Sequence, residues 1–367
     1  MVEHLKIDIV EKPERSAVVD LVKKFGSHCM AYSALQPGLK YHFSPGIGFI
    51  AYAEIGHLNP ETEIKAQELR LRMKDDMEKK GINVTLEDRT TTHVLSDPVV
   101  DPANKDGLYA LVDSFIAKHP QPCFWQTSPE FSYLLRKKHR FTMNHMGMET
   151  NLDLGEYEPP SKVKNPRNKA LKSGITLKEA NPDDFDWNQA RDISQQWIQT
   201  KAVKQELGFL ARSMVYQKEE DVRIFAAHDG KQMLGFVVYS PIYKNGIVTG
   251  YMEDILRARM GAPSGICDAI NVEAIGAFKK EKKELLSLGL SPFYKIDDVE
   301  KHSADSHVAL CPAFKDIFDK YYDIYNSPAL AKHKEQYNGR QERIFFCTRE
   351  EFPMEQILGG LRLSNVF

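Results

Sequence analysis

The sequence predicts an α/β (α+β) protein of two tandem units, each a mixed β-sheet flanked by helices. Three observations predict it. A length of 367 residues suggests about two domains of ordinary size. Apolar runs of strand type alternate with runs of helical period. One order of elements also occurs twice. VLSDPVVDPANKDGLYALVDSFIAKHP and YMEDILRARMGAPSGICDAINVEAIGAFKKE both go strand, aspartate, Gly/Pro-containing loop, helix. The units are set at residues 1–158 and 159–367. The first loop lacks arginine and the second carries Arg257 and Arg259, so the active centre is expected in the second unit.

In the first unit a short strand at 5–10 precedes a helix at 15–25. Residues 41–52 read as a hairpin around Pro45-Gly46. A charged helix is expected over 61–81, because Ile64, Leu69, Leu71, Met73 and Met77 recur at helical spacing. Strands follow at 92–95 and 123–126, with a helix at 108–118 between them. Ser128-Pro129-Glu130 is a helix-start signal for 128–138, and 143–154 reads as a strand.

The second unit opens on a basic, linker-like segment at 159–174. A strand at 175–178 and a helix at 184–200 come next. Strands at 222–228 and 234–242 flank Asp229-Gly230, a strong hairpin signal. A strand is expected at 247–252, followed by Glu253 and Asp254 at its end. A Gly/Pro/Ser turn at 261–265 feeds a helix over 266–278, and a strand at 285–290 completes a β–loop–α–β unit. Helical segments at 314–325 and 329–337, a strand at 343–348 and an amphipathic helix finish the chain.

Apolar content of 42% and charged content of 27% are those of a soluble globular chain. Net charge is −2, so binding to a polyanion has to come from local patches. The five cysteines form no CxxC, which fits free thiols in a reducing compartment. No apolar run reaches the roughly 18 residues of a membrane span, and the N-terminus is too charged for a signal peptide. The expected location is cytoplasmic, with peripheral membrane contact left open.

Strand ends that lead into helix N-termini are common ligand sites. Here that place carries Asp254 and Arg257, three apart. As a reacting pair, the carboxylate would orient or deprotonate a nucleophile and the guanidinium would hold a carbonyl or phosphate oxygen. As a structural pair, they would close the loop. Basic clusters lie at 136–140, at 162–172 (with Arg167), at 279–283, and at Lys332, Lys334, Arg340 and Arg343. They offer contacts for tRNA or lipid phosphate, or are solvated helix faces. His302, Asp305 and His307 lack metal-ligand spacing, so no metal is expected. Trp125 and Trp197 read as core.

The strand–loop–helix resembles the acyl-CoA site of GNAT acetyltransferases, but the glycine spacing departs from R/Q-x-x-G-x-G/A. Pro263 also removes a backbone donor. A wider resemblance covers residues 25–348. GMETNLDL, NPRNKALKSG, WIQTK, EDILRAR, APSGICDAI, LSLGLSPF and LAKHKEQY occur in the order found in the soluble catalytic domain of aminoacyl-phosphatidylglycerol synthases (phosphatidylglycerol lysyltransferases). The resemblance implies two GNAT-like halves, as in Fem peptidyltransferases. It implies transfer of an aminoacyl group from aminoacyl-tRNA, the co-substrate, to a hydroxyl, with no other cofactor.

The family's D-x-x-R falls on Asp254 and Arg257, the implied catalytic residues. Its late lysine falls on Lys334, where Tyr337 stands for the usual aromatic at altered spacing. Lys334, Arg259, Arg343 and Arg167 are the expected substrate-binding residues. The basic residues near 162–172 and 279–283 would hold the tRNA acceptor arm. No flippase-like transmembrane region precedes the domain, so a lipid head group and a small metabolite both stay open as acceptors. A GNAT N-acyltransferase using acyl-CoA or acyl carrier protein, and a non-catalytic tRNA- or lipid-binding module, are the alternatives.

Overall fold

The computed structural model describes residues 7–79, 81, 84, 89–201, 203–296, 314–315, 326–350 and 352–366. In the first half, β1 (Lys40–Ser44), β2 (Gly48–Ile55) and β3 (Thr91–Leu95) run antiparallel. Short β4 (Val99–Val100) pairs with β2. Helix α3 (Lys105–Lys118) then crosses over to β5 (Pro122–Thr127), parallel to β3. Helix α4 (Pro129–His139) leads to β6 (Thr142–Asp153).

The second half repeats the plan. β7 (Thr176–Ala180), β8 (Arg223–His228), β9 (Met233–Lys244) and β10 (Ile247–Ala258) are antiparallel. Helix α7 (Ile266–Lys280) crosses to β11 (Leu285–Pro292), parallel to β10. Helix α8 (Ser327–Glu335) leads to β12 (Arg340–Thr348). The crossover helix inside each parallel pair is what parallel pairing demands.

The two halves share one 12-stranded sheet, in the order β1-β2-β3-β5-β12-β6-β11-β10-β9-β8-β7. The last strand of each half has crossed to the other. β6 pairs with β11 of the second half, and β12 pairs with β5 of the first. β6 and β12 meet each other along nine residue pairs, from Arg340↔Asn151 to Thr348↔Thr142.

Helices cover both faces. α1 (Arg15–Phe25) and α6 (Trp187–Gln199) pack on one side of β8–β10, through Val18, Val22, Ala190 and Ile193. α5 (Ser161–Lys172) and α7 pack on the other, through Val163, Ala170, Ile270 and Phe278. The basic segment expected as a linker is thus helix α5. Three prolines and its polar composition conceal it, but Val163 and Ala170 form a buried stripe and Pro166 seats against Gly265. The segments at 297–313 and 316–325, with His302, Asp305 and His307, lie outside the described residues.

The final helix, α9 (Met354–Leu363), packs on the first half. A Cβ on Gly360 would stand 2.3 Å from Cζ2 of Trp125, whose ring is buried against Phe346. Helix propensity alone favours alanine over glycine by about 1 kcal/mol. The close approach outweighs it, because overpacking a fixed ring costs about 1–3 kcal/mol. Gly360→Ala is therefore expected to lower stability in chemical denaturation. A variant as stable as the parent, or more so, would show that α9 tolerates displacement.

Candidate active site

β10 is longer than its sequence suggests. It pairs with β9 as far as Ala258↔Gly235, so Asp254 and Arg257 lie within the strand and not in a loop beyond it. The charged residues hide this, because the strand reads as ended after Met252. Its ladder carries an irregularity between Glu253↔Tyr239 and Ile255↔Val238, which leaves Asp254 as an extra residue. Such a bulge resets strand alternation. Residues three apart would ordinarily face opposite sides. Here Asp254 and Arg257 share the α6 side with Ile255, and Glu253 faces α7.

The strand also parts from its parallel neighbour. β10 and β11 pair only from Gly250↔Leu285 to Met252↔Ser287. Beyond that, β10 stays with β9 and β11 stays with β6. The ladder between β11 and β6 is itself irregular between Ser287 and Leu290, around Gly289, whose φ is +72°. A wedge opens between the strands, with the first turn of α7 beside it.

Asp254 and Arg257 do not pair with each other. Asp254 Oδ2 accepts from Arg212 Nε at 2.7 Å and from Ser240 Oγ at 2.6 Å. Arg212 Nη1 also donates to both oxygens of Glu219, at 2.8 and 2.7 Å. Both Asp254 and Arg212 side chains are buried. Asp254 thus anchors the irregular segment before β8 to the sheet. Arg257 Nη2 donates instead to Glu206 Oε2 at 2.8 Å, and Nη1 to the Leu256 carbonyl at 3.0 Å. Its guanidinium carbon lies 4.0 Å from the Trp197 ring centroid, and Lys201 Nζ lies 4.2 Å from the same centroid. Trp197 is part-exposed and is a cation platform, not the core residue expected.

Lys334, on α8, is 7% exposed and donates to the Leu290 carbonyl at 2.8 Å. Burial pushes its amine down to about 8, against the opposing pull of Glu253, Glu149 and Cys29. Burial lifts the Glu253 carboxyl, while His333, Asn271 and Lys334 restrain the rise. Glu253 is fixed by Asn271 Nδ2 at 2.8 Å. The Asn271 carbonyl accepts from Tyr239 at 2.5 Å, and its amide also reaches Tyr337 Oη at 2.9 Å. Tyr337 in turn donates to Asp268 at 2.6 Å. Tyr337 is therefore buried beside Lys334's helix, despite the altered spacing of that motif. Cys267, in the first turn of α7, is pushed up to about 12 by burial and by Glu253 and Asp268, against Arg257 and Lys201.

The other expected residues are engaged elsewhere. Arg259 Nε donates to the Met233 carbonyl at 2.8 Å. Arg167 bridges α5 to Glu273 of α7, at 2.9 and 2.8 Å. Arg343 lies on β12 opposite Met148. In the basic clusters, Lys279 pairs with Glu158 and Arg340 with Asp153. Arg212, Glu206 and Lys201 were not expected at the site. Trp197 and Lys201, four apart at a helix end, carry a sequence signal that points to Lys201.

Among the described residues, no group of three or more His, Cys, Asp or Glu side chains is arranged to hold a metal ion. Among them too, no helix is long and apolar enough to cross a membrane.

Comparison with known proteins follows the same lines. The structure of L-PGS from Bacillus licheniformis superposes with a TM-score of 0.71 at 16% identity, over 98% of this chain and 99% of that one. The C-terminal domain of a putative lysylphosphatidylglycerol synthetase from Agrobacterium fabrum gives 0.68 at 14%, over 96% and 98%. FemX gives 0.52 at 10%, over 96% and 99%. These likenesses establish the fold. An uncharacterized protein of Corynebacterium glutamicum is 21% identical over 210 residues, 56% of this chain, which spans 25% of that protein's length. The family described as phosphatidylglycerol lysyltransferase, C-terminal, matches residues 78–348, and the chain belongs to that family.

Proposed function

We propose that the protein is an aminoacyl-tRNA-dependent aminoacyltransferase, which moves an amino acid from tRNA to a hydroxyl of a phosphatidylglycerol-like lipid or a small metabolite. The observation that carries this reading is Lys334. It is a buried amine lowered to about 8, held by a single carbonyl beside the wedge between β10 and β11.

The donor ester is already activated, so catalysis needs positioning, a base and charge stabilisation. Neutral Lys334 takes the proton of the acceptor hydroxyl as its oxygen bonds to the ester carbonyl carbon. The carbon–oxygen bond to the tRNA ribose then breaks, and Lys334 returns the proton to the ribose oxygen. Arg257 supplies positive charge beside the reacting centre. Asp254 acts at a distance, by holding Arg212 and the irregular segment before β8 in place. Membership of a lysyltransferase family supports the transfer class and the tRNA-borne donor.

The first test incubates the protein with a pool of radiolabelled aminoacyl-tRNAs, with and without a total lipid extract or a small-molecule extract. Loss of one amino acid from tRNA, dependent on either extract, is expected. No loss under any condition would overturn the proposal. Arg257→Ala should reduce transfer by about 10²–10³-fold with the circular dichroism of the parent. Near-parental turnover would remove Arg257 from the reaction.

A pH profile tests Lys334. Its amine is charged below about 8 and neutral above, so the transfer rate should rise with pH through about 8. Lys334→Met should lower the rate about 10²–10⁴-fold and abolish that limb. A limb unchanged in the variant would assign it to another group.

A further inference from the structure

The pairing of Arg257 with Glu206 is incomplete. Only one oxygen of Glu206 is used, and its Oε1 is buried without a partner. Arg257 is 8% exposed, and its Nε is also buried without a partner. A forked guanidinium–carboxylate pair would satisfy both atoms. Here the two groups meet through a single contact and leave donor capacity at Arg257 unspent. Glu206 itself is carried on an irregular segment, where Asn365 Nδ2 donates to its carbonyl at 3.1 Å.

A second cation lies against the same aromatic ring. Lys201 is exposed and shares the Trp197 ring with Arg257. Loss of hydration and repulsion from Arg257 lower its amine, so a further negative charge at this place would be welcome. The first turn of α7 stands beside the same wedge. Gly265 precedes that turn and gives it no side-chain cap. Helix N-termini of this kind favour anions.

We infer that Arg257, Lys201 and Trp197 form a phosphate-binding subsite beside the wedge, and that Glu206 is its internal occupant until a phosphate group displaces it. This deepens the aminoacyl-transfer reading and rests on it for the identity of the substrate. A phosphodiester presents several oxygens in place of the one that Glu206 offers, and so satisfies Arg257 Nε and Lys201 together. Such a group belongs both to a phosphoglycerol lipid head group and to the 3′ end of a tRNA. Glu206 then works as a gate, since it covers Arg257 when no substrate is bound.

The test uses two probes by calorimetry on the whole chain: glycerophosphoglycerol, the head group without tails, and an RNA hairpin ending in CCA. Glu206→Gln should tighten binding of the true ligand roughly fivefold, by removing the competing occupant. Lys201→Ala should weaken it roughly tenfold, by removing a charge-assisted contact. A response with the head group alone assigns a lipid phosphate, and with the hairpin alone a tRNA phosphate. Binding of both probes that ignores both substitutions, or binding of neither, overturns the subsite. Transfer is measured in parallel. Turnover with unresponsive binding removes the subsite and leaves the function, while responsive binding without turnover does the reverse.

Discussion

The extra residue in β10 is the constraint on which the site depends. Without the irregularity at Asp254, strand alternation would send Asp254 and Arg257 to opposite faces of the sheet. With it, Met252, Asp254, Ile255 and Arg257 line one side, and Glu253 turns to α7. Asp254 fills its new position by taking Arg212 and Ser240 as partners. A buried carboxylate left unpaired would cost several kcal/mol, so this triangle and the bulge sustain each other. Arg212 fixes the segment before β8, and that segment brings Glu206 to Arg257. The two residues of the D-x-x-R motif are thus linked through different partners.

The exchange of β6 and β12 is the second constraint. It makes each half complete only in the presence of the other, because a parallel pair in one half borders a strand from its twin. It also brings first-half groups to the second-half site. Glu149 of β6 accepts from the Cys29 thiol and from Asn151, and its charge reaches Lys334. The amine that we assign as the base is therefore lowered by burial and held up by carboxylates from both halves. A second-half fragment alone would lack Glu149, β6 and the neighbour that β11 keeps after leaving β10.

Local signals were legible and non-local ones were not. The helix at 15–25 was read to the residue, and the crossover helix after 265 from its glycine turn and apolar period. The repeated strand–loop–helix order exposed the doubled architecture, and the motif order exposed the family. The bulge left no mark, because it is a mismatch between two strands and neither sequence alone contains it. The partners Arg212 and Glu206 sit in a stretch without periodicity, 42 and 51 positions from Asp254 and Arg257. The α5 helix was masked by prolines that its packing against Gly265 puts to use. The strand exchange is likewise a pairing over long sequence distance.

The loop after β10 also bears on which acyl donor fits. An acyl-CoA pyrophosphate needs several backbone N–H groups turned toward it. Here the Arg259 N–H is spent on Leu234, that of Ala262 on Arg259, and that of Ile266 on Pro263. Pro263 has none to give. Positive charge is carried on side chains as well: Arg257 and Lys201 on the Trp197 ring, on the α6 side of the sheet. A cradle of amides suits a compact pyrophosphate bound from within the loop. Two long cations on an aromatic platform suit a phosphate that arrives from outside as part of a larger molecule. That difference sets this loop apart from an amide cradle, beyond the departure in glycine spacing.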